Sequence, residues 1–179
     1  MKKIILPVVI LLCALQAQAQ KTDARATAKA EAKKMGQALL ARDYELFTKS
    51  TYPEAVKMTE GGTAKIIRDL QSQLKDMKAN GTTITAVWPG EPSRMIDTAG
   101  ELQCTIPQNM TMKMTSPPGK LTTQTTLIGL SPDKGKTWYF MDTADRSIDK
   151  MREMFPNISS KLVIPKSPEP KFVSDKEHG

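Results

Sequence analysis

The sequence is poor in histidine, cysteine and aromatic residues. Its 179 residues include one histidine, His178, two cysteines and 5% aromatic residues. A single histidine beside the C-terminus excludes a Ser-His-Asp triad, a multi-histidine zinc site and a histidine general base inside a core. Two cysteines exclude a disulfide-dense scaffold and a four-cysteine metal site. We therefore expect no cofactor and no catalytic residue of these kinds.

Basic residues outnumber acidic residues, but they are spread along the sequence. The chain has 26 Lys and Arg against 19 Asp and Glu, for a formal net charge of +7. No run of five or more basic residues occurs, and aromatic residues are not interleaved with basic ones. Basic runs and interleaved aromatic residues are typical of nucleic-acid-binding proteins. Because this sequence has neither, we expect no nucleic-acid partner.

A hydrophobic run lies at the N-terminus. Lys2 and Lys3 precede an apolar run from Ile4 to Leu15, and Ala17-Gln18-Ala19 follows it. A charged start, a short apolar middle and small residues before a cleavage point are typical of a secretory signal peptide. The run is shorter than the ~20 residues that a membrane-spanning helix needs, so we expect no stable membrane anchor. We predict cleavage after residue 19 and export to the periplasm or the outside of the cell.

The two cysteines have different surroundings. Cys13 lies inside the N-terminal segment, which leaves a bacterial lipoprotein signal as the alternative interpretation, although Leu12 stands where such a signal needs a small residue. Cys104 would be the single thiol of the cleaved chain and could form no internal disulfide. It alternates in phase with Leu102 and Ile106, which predicts a buried, unreactive thiol.

Apolar residues recur at helical spacing before residue 80. The pattern predicts a first helix, a shorter helical stretch that is interrupted near Pro53 and ends by Met58, and a third helix between Gly61-Gly62 and Asn80-Gly81. The stripe of the first helix consists of Ala28, Ala32, Met35 and Leu39, and the stripe of the third consists of Ile66, Ile67, Leu70, Leu74 and Met77.

The period changes to two after residue 82. The predicted strands span residues 82–88, 101–115, 121–130 and 137–142, and a short helix over 147–155 follows. Apolar and polar residues alternate along the second of these strands, which predicts a sheet with one buried face and one solvent-exposed face. Pro107 and Gln108 interrupt the alternation, which predicts a kink or bulge at that point.

A single domain accounts for these elements. We divide the chain into a signal peptide over residues 1–19, one α+β domain over residues 20–156, and a Pro-rich C-terminal tail over residues 157–179. The tail contains three prolines and little apolar content, so we expect it to lie extended on the domain or in solvent. A domain of ~150 residues buries roughly 70% of the surface of its unfolded chain, which is enough for a core.

Several short segments of the sequence occur in an order that resembles a known α+β fold. They are Tyr44 to Phe47, Tyr52-Pro53-Glu54, Gly61-Gly62, Trp138 to Asp142, Phe155-Pro156-Asn157 and Val163-Ile164-Pro165. Together with the order of helices and strands over residues 25–166, they resemble the cone-shaped α+β fold, also called cystatin-like, of the nuclear transport factor two-like superfamily. Within it, the chain is similar to small exported proteins of Bacteroidetes-type bacteria.

This resemblance implies N-terminal helices packed on a curved antiparallel β-sheet, with a pocket at the open end of the cone. The residues expected to line the pocket are Trp88, Cys104, Met110, Met112, Met114, Trp138 and Phe140. Relatives include isomerases and dehydratases, so the alternative is a pocket enzyme with Glu101 or Asp142 as a buried carboxylate base. The resemblance also implies a homodimer through a Thr-rich sheet face, formed by Thr105, Thr111, Thr123 and Thr125.

The segment from Ser131 to Trp138 matches the pattern S-x-D-x-G-x-T-W at every fixed position. The pattern resembles the Asp-box hairpins that are repeated in sialidases, but one copy cannot build a propeller. The side chains of Ser131 and Asp133 can accept hydrogen bonds from backbone amides of the loop, and Gly135 permits a positive φ. Trp138 can pack beneath the loop, and Thr137 is the remaining fixed position of the pattern. We interpret it as a structural hairpin, with a calcium or sugar contact as the alternative.

Methionine is frequent, and three methionines alternate on one predicted strand. On a strand, Met110, Met112 and Met114 point to one face, with ~7 Å between successive side chains. Thioethers suit Cu(I), so a periplasmic copper-binding protein is an alternative function. A buried apolar face filled by flexible side chains explains the same pattern.

The interpretation that best fits the sequence is an exported, non-catalytic binding module. It would hold a small apolar ligand in the pocket, or an exported protein partner across the sheet. The pocket enzyme and the Cu(I)-binding protein are the alternatives.

Overall fold

The computed structural model describes residues 24–98, 100–144 and 146–175. The predicted signal peptide and His178 lie outside the described residues. Five helices occupy the described part of the chain: α1 over residues 24–41, α2 Tyr44–Lys49, α3 Pro53–Met58, α4 Gly62–Ala79 and α5 Ile148–Met154. The strands are β1 Thr82–Pro89, β2 Ile96–Thr98, β3 Glu101–Thr115, β4 Pro118–Ser131, β5 Tyr139–Asp142 and β6 Lys171–Ser174.

These six strands form one curved, open, antiparallel sheet. Its central order is β1-β3-β4-β5, while β2 pairs with the start of β3 and β6 pairs with the start of β4. Helices packed on such a sheet confirm the predicted α+β class. The long hairpin of β3 and β4 keeps one unbroken register from the pair of Leu102 and Ser131 to the pair of Thr115 and Pro118.

The observed β-bulge lies on β1 and not on β3, where it was predicted. The register of β3 with β4 continues through Pro107 and Gln108 without a shift, so a bulge there is wrong. The register shifts instead in β1, between Ile84 and Ala86. The extra residue, Thr85, donates its hydroxyl to the Thr111 carbonyl at 3.2 Å. The Pro107 carbonyl accepts from the Gly90 amide at 2.7 Å, so the main-chain polar groups of this residue face away from β4. The missing amide of Pro107 therefore removes no hydrogen bond between β3 and β4.

Helix α1 covers what we call the first face of the sheet, the face of Leu102, Cys104 and Ile106. Its small residues allow a close approach, and its buried side chains share a core with the sheet: Ala24, Ala28, Ala32, Met35, Leu102, Cys104, Ile106, Leu127, Trp138 and Phe140. At Gly36, an added Cβ would lie 2.8 Å from Val87 Cγ1. Only glycine therefore fits between α1 and β1 at this separation.

The second face, that of Gln103 and Thr105, is not open to solvent as the alternation predicted. Over its inner half, near residues 101–107 and 126–131, the exposed fractions of Gln103 and Thr105 are 0% and 5%. A second apolar cluster covers this half: Ile128, Leu130, Met141, Met151, Phe155, Ile158 and Leu162. The expectation of one wet face is wrong there because α5 and the chain that follows it pack on the sheet.

The segment interpreted as a tail contributes to that cover. Ile158 and Leu162 are 3% and 2% exposed, and β6 adds a strand to the sheet next to β4. Gln103 holds the segment in place: its Nε2 donates to the Asn157 carbonyl at 2.8 Å, and its Oε1 accepts from the Ser159 amide at 2.8 Å. The buried polar side chain is thus hydrogen-bonded, as buried polar groups require.

Candidate functional site: a methionine-lined cleft

A cleft of about 450 Å³ lies where the helices of the first face and helix α5 meet beside the edge strand β5. We call it the methionine cleft. It is lined by Met35, Phe47, Thr51, Ala55, Met58, Thr59, Ile66, Phe140, Met141, Asp142, Arg146, Met151, Met154 and Phe155. Its volume falls in the range of ~300–1,000 Å³ that is common for small-molecule sites.

Five of these lining residues are methionines. Met35, Met141 and Met151 are 4%, 5% and 2% exposed and form the inner wall, whereas Met58 is 59% exposed at the mouth. Methionine is unbranched and polarisable, so a surface of several methionines can adjust its shape around different apolar ligands. The cleft is therefore suited to an apolar molecule rather than to one fixed polar substrate.

The walls of the cleft are tied to the sheet by main-chain hydrogen bonds. The link between α2 and α3 runs beside β5: the Tyr52 amide donates to the Phe140 carbonyl at 3.0 Å, and the Phe140 amide donates to the Ser50 carbonyl at 2.8 Å. Ser147 caps the N-terminus of helix α5, where its side chain accepts from the Lys150 amide. These bonds fix both sides of the cleft, so the site is preformed.

Most polar groups of the lining already have partners. The Thr51 hydroxyl donates to the Phe47 carbonyl at 3.3 Å, and the Thr59 hydroxyl donates to the Ala55 carbonyl at 3.1 Å. The Asp142 carboxylate accepts from the Ala144 amide at 2.7 Å and from the Thr125 hydroxyl at 3.1 Å. Their capacity to bind a ligand is correspondingly reduced.

Arg146 differs from these groups. Its Nη1 donates one long hydrogen bond, at 3.5 Å, to the Thr143 carbonyl. Among the described residues, no carboxylate lies within ion-pair distance of its guanidinium. A guanidinium can donate several hydrogen bonds in a planar fork, so Arg146 is available to an anionic group on a bound molecule.

The residues predicted to line a pocket are distributed over four places. Phe140 lies in the methionine cleft. Cys104 and Trp138, 0% and 3% exposed, lie in the core under α1. Trp88 pairs with Asn109 on the second face and is 39% exposed. The remaining three, Met110, Met112 and Met114, lie half-buried on the outer half of the first face.

The methionine strand has apolar or uncharged neighbours. Met110 lies between Val87 and Thr123, and Met112 between Ile84 and Leu121. In the described part of the chain, no group of three or more His, Cys, Asp or Glu side chains is placed to hold a metal ion. Burial raises the pKa of the Cys104 thiol to about 12. That thiol is therefore protonated at neutral pH and is not a nucleophile.

The two candidate carboxylates for an enzyme lie on opposite faces of the sheet. Asp142 pairs with Leu127 and is exposed at the rim of the cleft. Glu101 lies on the second face, where it accepts from Gln103 Nε2 at 2.5 Å and from Asn157 Nδ2 at 3.2 Å. The two groups cannot act as a dyad, and among the described lining residues of the cleft no buried carboxylate occurs.

The Asp-box segment forms a tight loop between β4 and β5. Asp133 Oδ1 accepts from the Ser131 hydroxyl at 2.9 Å, from the Lys136 amide at 3.1 Å and from the Thr137 amide at 2.8 Å. Desolvation raises the pKa of Asp133, but the hydrogen bonds from Thr137, Ser131 and Lys136 outweigh it and lower the pKa to about 2. The lone pairs of Asp133 Oδ1 are thus used for hydrogen bonds within the loop.

Two further contacts fix this loop. Gly135 has φ of 99°, a conformation that favours glycine, and its amide donates to Ser131 Oγ at 2.8 Å. Trp138 Nε1 donates to the Gly135 carbonyl at 3.1 Å from its buried position. A depression of about 720 Å³ lies beside the loop, but it is lined mainly by loop residues and by the start of α1.

The Thr-rich face predicted for a homodimer does not exist as one surface. In the antiparallel register, Thr105 lies opposite Ile128 and Thr111 opposite Thr122, on the second face. Thr123 lies opposite Met110, so it points to the first face, as does Thr125. The grouping of the four threonines on one face is wrong because the register of the hairpin, which the sequence does not specify, decides which threonines share a face. The homodimer itself stays a prediction.

Comparisons with known proteins give no relative. No protein-family model matches the chain, and neither a curated protein nor a solved structure is detectably similar to it. Within residues 24–98, 100–144 and 146–175, no helix has the length and apolar character needed to cross a bilayer.

Sequence reasoning missed the methionine cleft. Its five methionines come from α1, α3, β5 and α5, which are far apart in the sequence. The signal that was present, 11 methionines in 179 residues, gave no position for a site because the methionines meet only in the folded chain.

Proposed function

We propose that this chain is an exported, non-catalytic binding protein that holds a small apolar molecule with an anionic group in the methionine cleft. The observation that carries the proposal is the lining of the cleft: five methionines and four other large apolar side chains, with Arg146 at the rim and without an ion-pair partner among the described residues. Burial of apolar surface would supply most of the affinity, at ~25 cal/mol per Å².

The nuclear transport factor two-like fold is part of this proposal. Helices followed by a curved antiparallel sheet support it, and the methionine cleft would then correspond to the pocket of the cone. Export rests on the N-terminal pattern alone. The absence of a buried carboxylate among the described lining residues of the cleft favours binding over the isomerase or dehydratase alternative.

The test uses the chain as it is purified from an exporting host, and the fluorescence of bound anilinonaphthalene sulfonate. Dodecanoate should displace the dye. Met58→Glu places a charge at the mouth of the cleft, where residue 58 is 59% exposed, and should weaken dodecanoate binding at least tenfold. Val163→Glu is the matched control, because Val163 is 71% exposed and lies outside the cleft; it should bind like the parent protein. Equal binding by all three proteins would overturn the proposal.

A further inference from the structure

The outer half of the second face collects lysines that are distant in the sequence. Lys113 on β3 lies directly opposite Lys120 on β4. On the same face, Thr122 on β4 lies opposite Lys171 on β6. We call this surface the basic face and define it by Trp88, Asn109, Lys113, Lys120, Thr122 and Lys171. The strand residues that share this face carry no carboxylate.

The charge of the basic face is not neutralised within the described chain. Lys113, Lys120 and Lys171 are exposed, and none of them forms an ion pair with another described residue. Like charges that lie directly opposite on neighbouring strands destabilise a sheet. The pair of Lys113 and Lys120 is therefore unfavourable for the fold alone, and an anionic partner would remove the repulsion.

Besides the lysines, the basic face carries polar side chains, one exposed aromatic ring and Val173, which lies opposite Lys120 and is 36% exposed. Trp88 is 39% exposed and lies opposite Asn109, whose Nδ2 donates to the Trp88 carbonyl at 3.4 Å. The hydroxyls of Thr111 and Thr122 lie 3.2 Å apart in the middle of the surface. A tryptophan ring offers a flat apolar platform with a polar edge, and amides and hydroxyls can both donate and accept hydrogen bonds.

We propose that the basic face binds an acidic polysaccharide, with Trp88 stacking on a sugar ring and the three lysines pairing with the carboxylate or sulfate groups of the polymer. Four strands at ~4.8 Å spacing and rows ~7 Å apart give an area of roughly 14 by 14 Å, which suits an extended chain of a few sugar units. This site is separate from the methionine cleft and does not depend on it.

Other occupants fit less well. A protein interface has an apolar centre that is depleted of charge, whereas the centre of the basic face consists of threonine hydroxyls. A second copy of the chain would bring lysines against lysines, which like-charge repulsion opposes. A membrane surface is usually bound through a helix with an apolar face, whereas the basic face is a sheet surface on which lysine, threonine and asparagine side chains predominate.

The test measures binding of the full-length chain to immobilised alginate, a polymer of uronic acids, with neutral dextran as the reference surface. The variant Lys113→Gln/Lys120→Gln/Lys171→Gln should weaken alginate binding at least tenfold and make it less dependent on salt, since fewer counterions are released. The matched control Lys33→Gln/Lys75→Gln/Lys136→Gln removes three exposed lysines elsewhere and should change the affinity less than twofold.

A second readout separates stacking from charge. Alginate should shift the tryptophan emission of the parent protein, and Trp88→Ala should abolish that shift and weaken binding several-fold, because the other tryptophan, Trp138, is 3% exposed. Equal losses in the two triple-lysine variants would overturn the proposal, since charge alone would then explain binding. Binding to phosphatidylglycerol vesicles without binding to alginate would also overturn it.

Discussion

Gln103 Oε1 accepts a hydrogen bond from the Ser159 amide at 2.8 Å, which joins the central strand of the sheet to a segment 56 residues later in the chain. The same side chain donates to the Asn157 carbonyl and to Glu101. One buried amide thus holds the C-terminal segment over the inner half of the second face. That cover allows α5 to form one wall of the methionine cleft.

Replacing this amide should loosen the C-terminal segment. Gln103→Leu leaves the Ser159 amide and the Asn157 carbonyl without their partner, and an unsatisfied buried polar group costs about 1–3 kcal/mol. We expect the free energy of unfolding, measured by urea denaturation, to fall by that amount. The control is Gln124→Leu. Gln124 lies on β4, on the second face of the sheet like Gln103, and is half-buried, so its replacement should change the free energy of unfolding by less than about 0.5 kcal/mol. Equal effects of the two substitutions would contradict the role of Gln103.

The alternation along β3 predicted part of this arrangement. The bounds 101–115 agree with the observed strand, and Cys104 is fully buried as its phase indicated. Gln103 and Thr105 were assigned to a wet face because polar residues on a strand usually are solvent-exposed. Their burial depends on a segment that starts after residue 155, and no local pattern specifies that contact.

The candidate sites were less predictable for the same reason. The methionine cleft combines side chains from six elements, the five helices and β5, and the basic face combines Lys113 and Lys120 with Lys171 through strand register. Residues at such separations show no charge run or periodicity in the sequence. Of the residues predicted to line a pocket, Phe140 lies in the methionine cleft, and the other six lie outside its lining.

The Asp133 loop should give a pH-dependent contribution to stability. The pKa of Asp133 is lowered from 3.8 to about 2 in the folded chain, so the ionised form is stabilised by folding. This contribution is complete above the unfolded value and is lost as the pH falls through about 2. Asp133→Asn should therefore destabilise the protein by about 1 kcal/mol at pH 7, as expected for partly exposed hydrogen bonds to a charged group, and by much less at pH 2.

Thermal unfolding of both proteins between pH 2 and pH 7 measures this difference. Asp97→Asn is a suitable control, because Asp97 Oδ1 accepts one backbone amide, from Gly100 at 3.3 Å, and its effect at pH 7 should be smaller. A stability difference between the parent and Asp133→Asn that stays constant down to pH 2 would contradict the account of the loop.

The repulsive lysine pair predicts a conflict between stability and binding. Lys120→Glu converts the pair of Lys113 and Lys120 into an opposite-charge pair across the strands. The free energy of unfolding should rise by about 0.2–1 kcal/mol, while alginate binding should be lost. Lys75→Glu, on α4, is the control for a change of net charge. A loss of stability in Lys120→Glu would show that the two lysines do not repel each other.

Arg146 should distinguish ligands by their charge. Dodecanoate and dodecanol have the same apolar chain but differ in the end group. If the guanidinium pairs with the anionic end, Arg146→Gln should weaken dodecanoate binding about tenfold, equivalent to ~1.4 kcal/mol, and leave dodecanol binding unchanged. Isothermal titration calorimetry measures both affinities. Parallel losses for the two ligands would indicate a change in the cleft itself and not the loss of an ion pair.

The central claim is that the methionine cleft holds an apolar molecule, and native mass spectrometry tests it most directly. The full-length chain, purified from an exporting host and mixed with excess dodecanoate, should show one bound ligand per chain, which is released on denaturation. The Met58→Glu protein should stay bare and the Val163→Glu protein should carry the ligand. A parent protein that stays bare, or a Met58→Glu protein that binds as the parent does, would contradict the account.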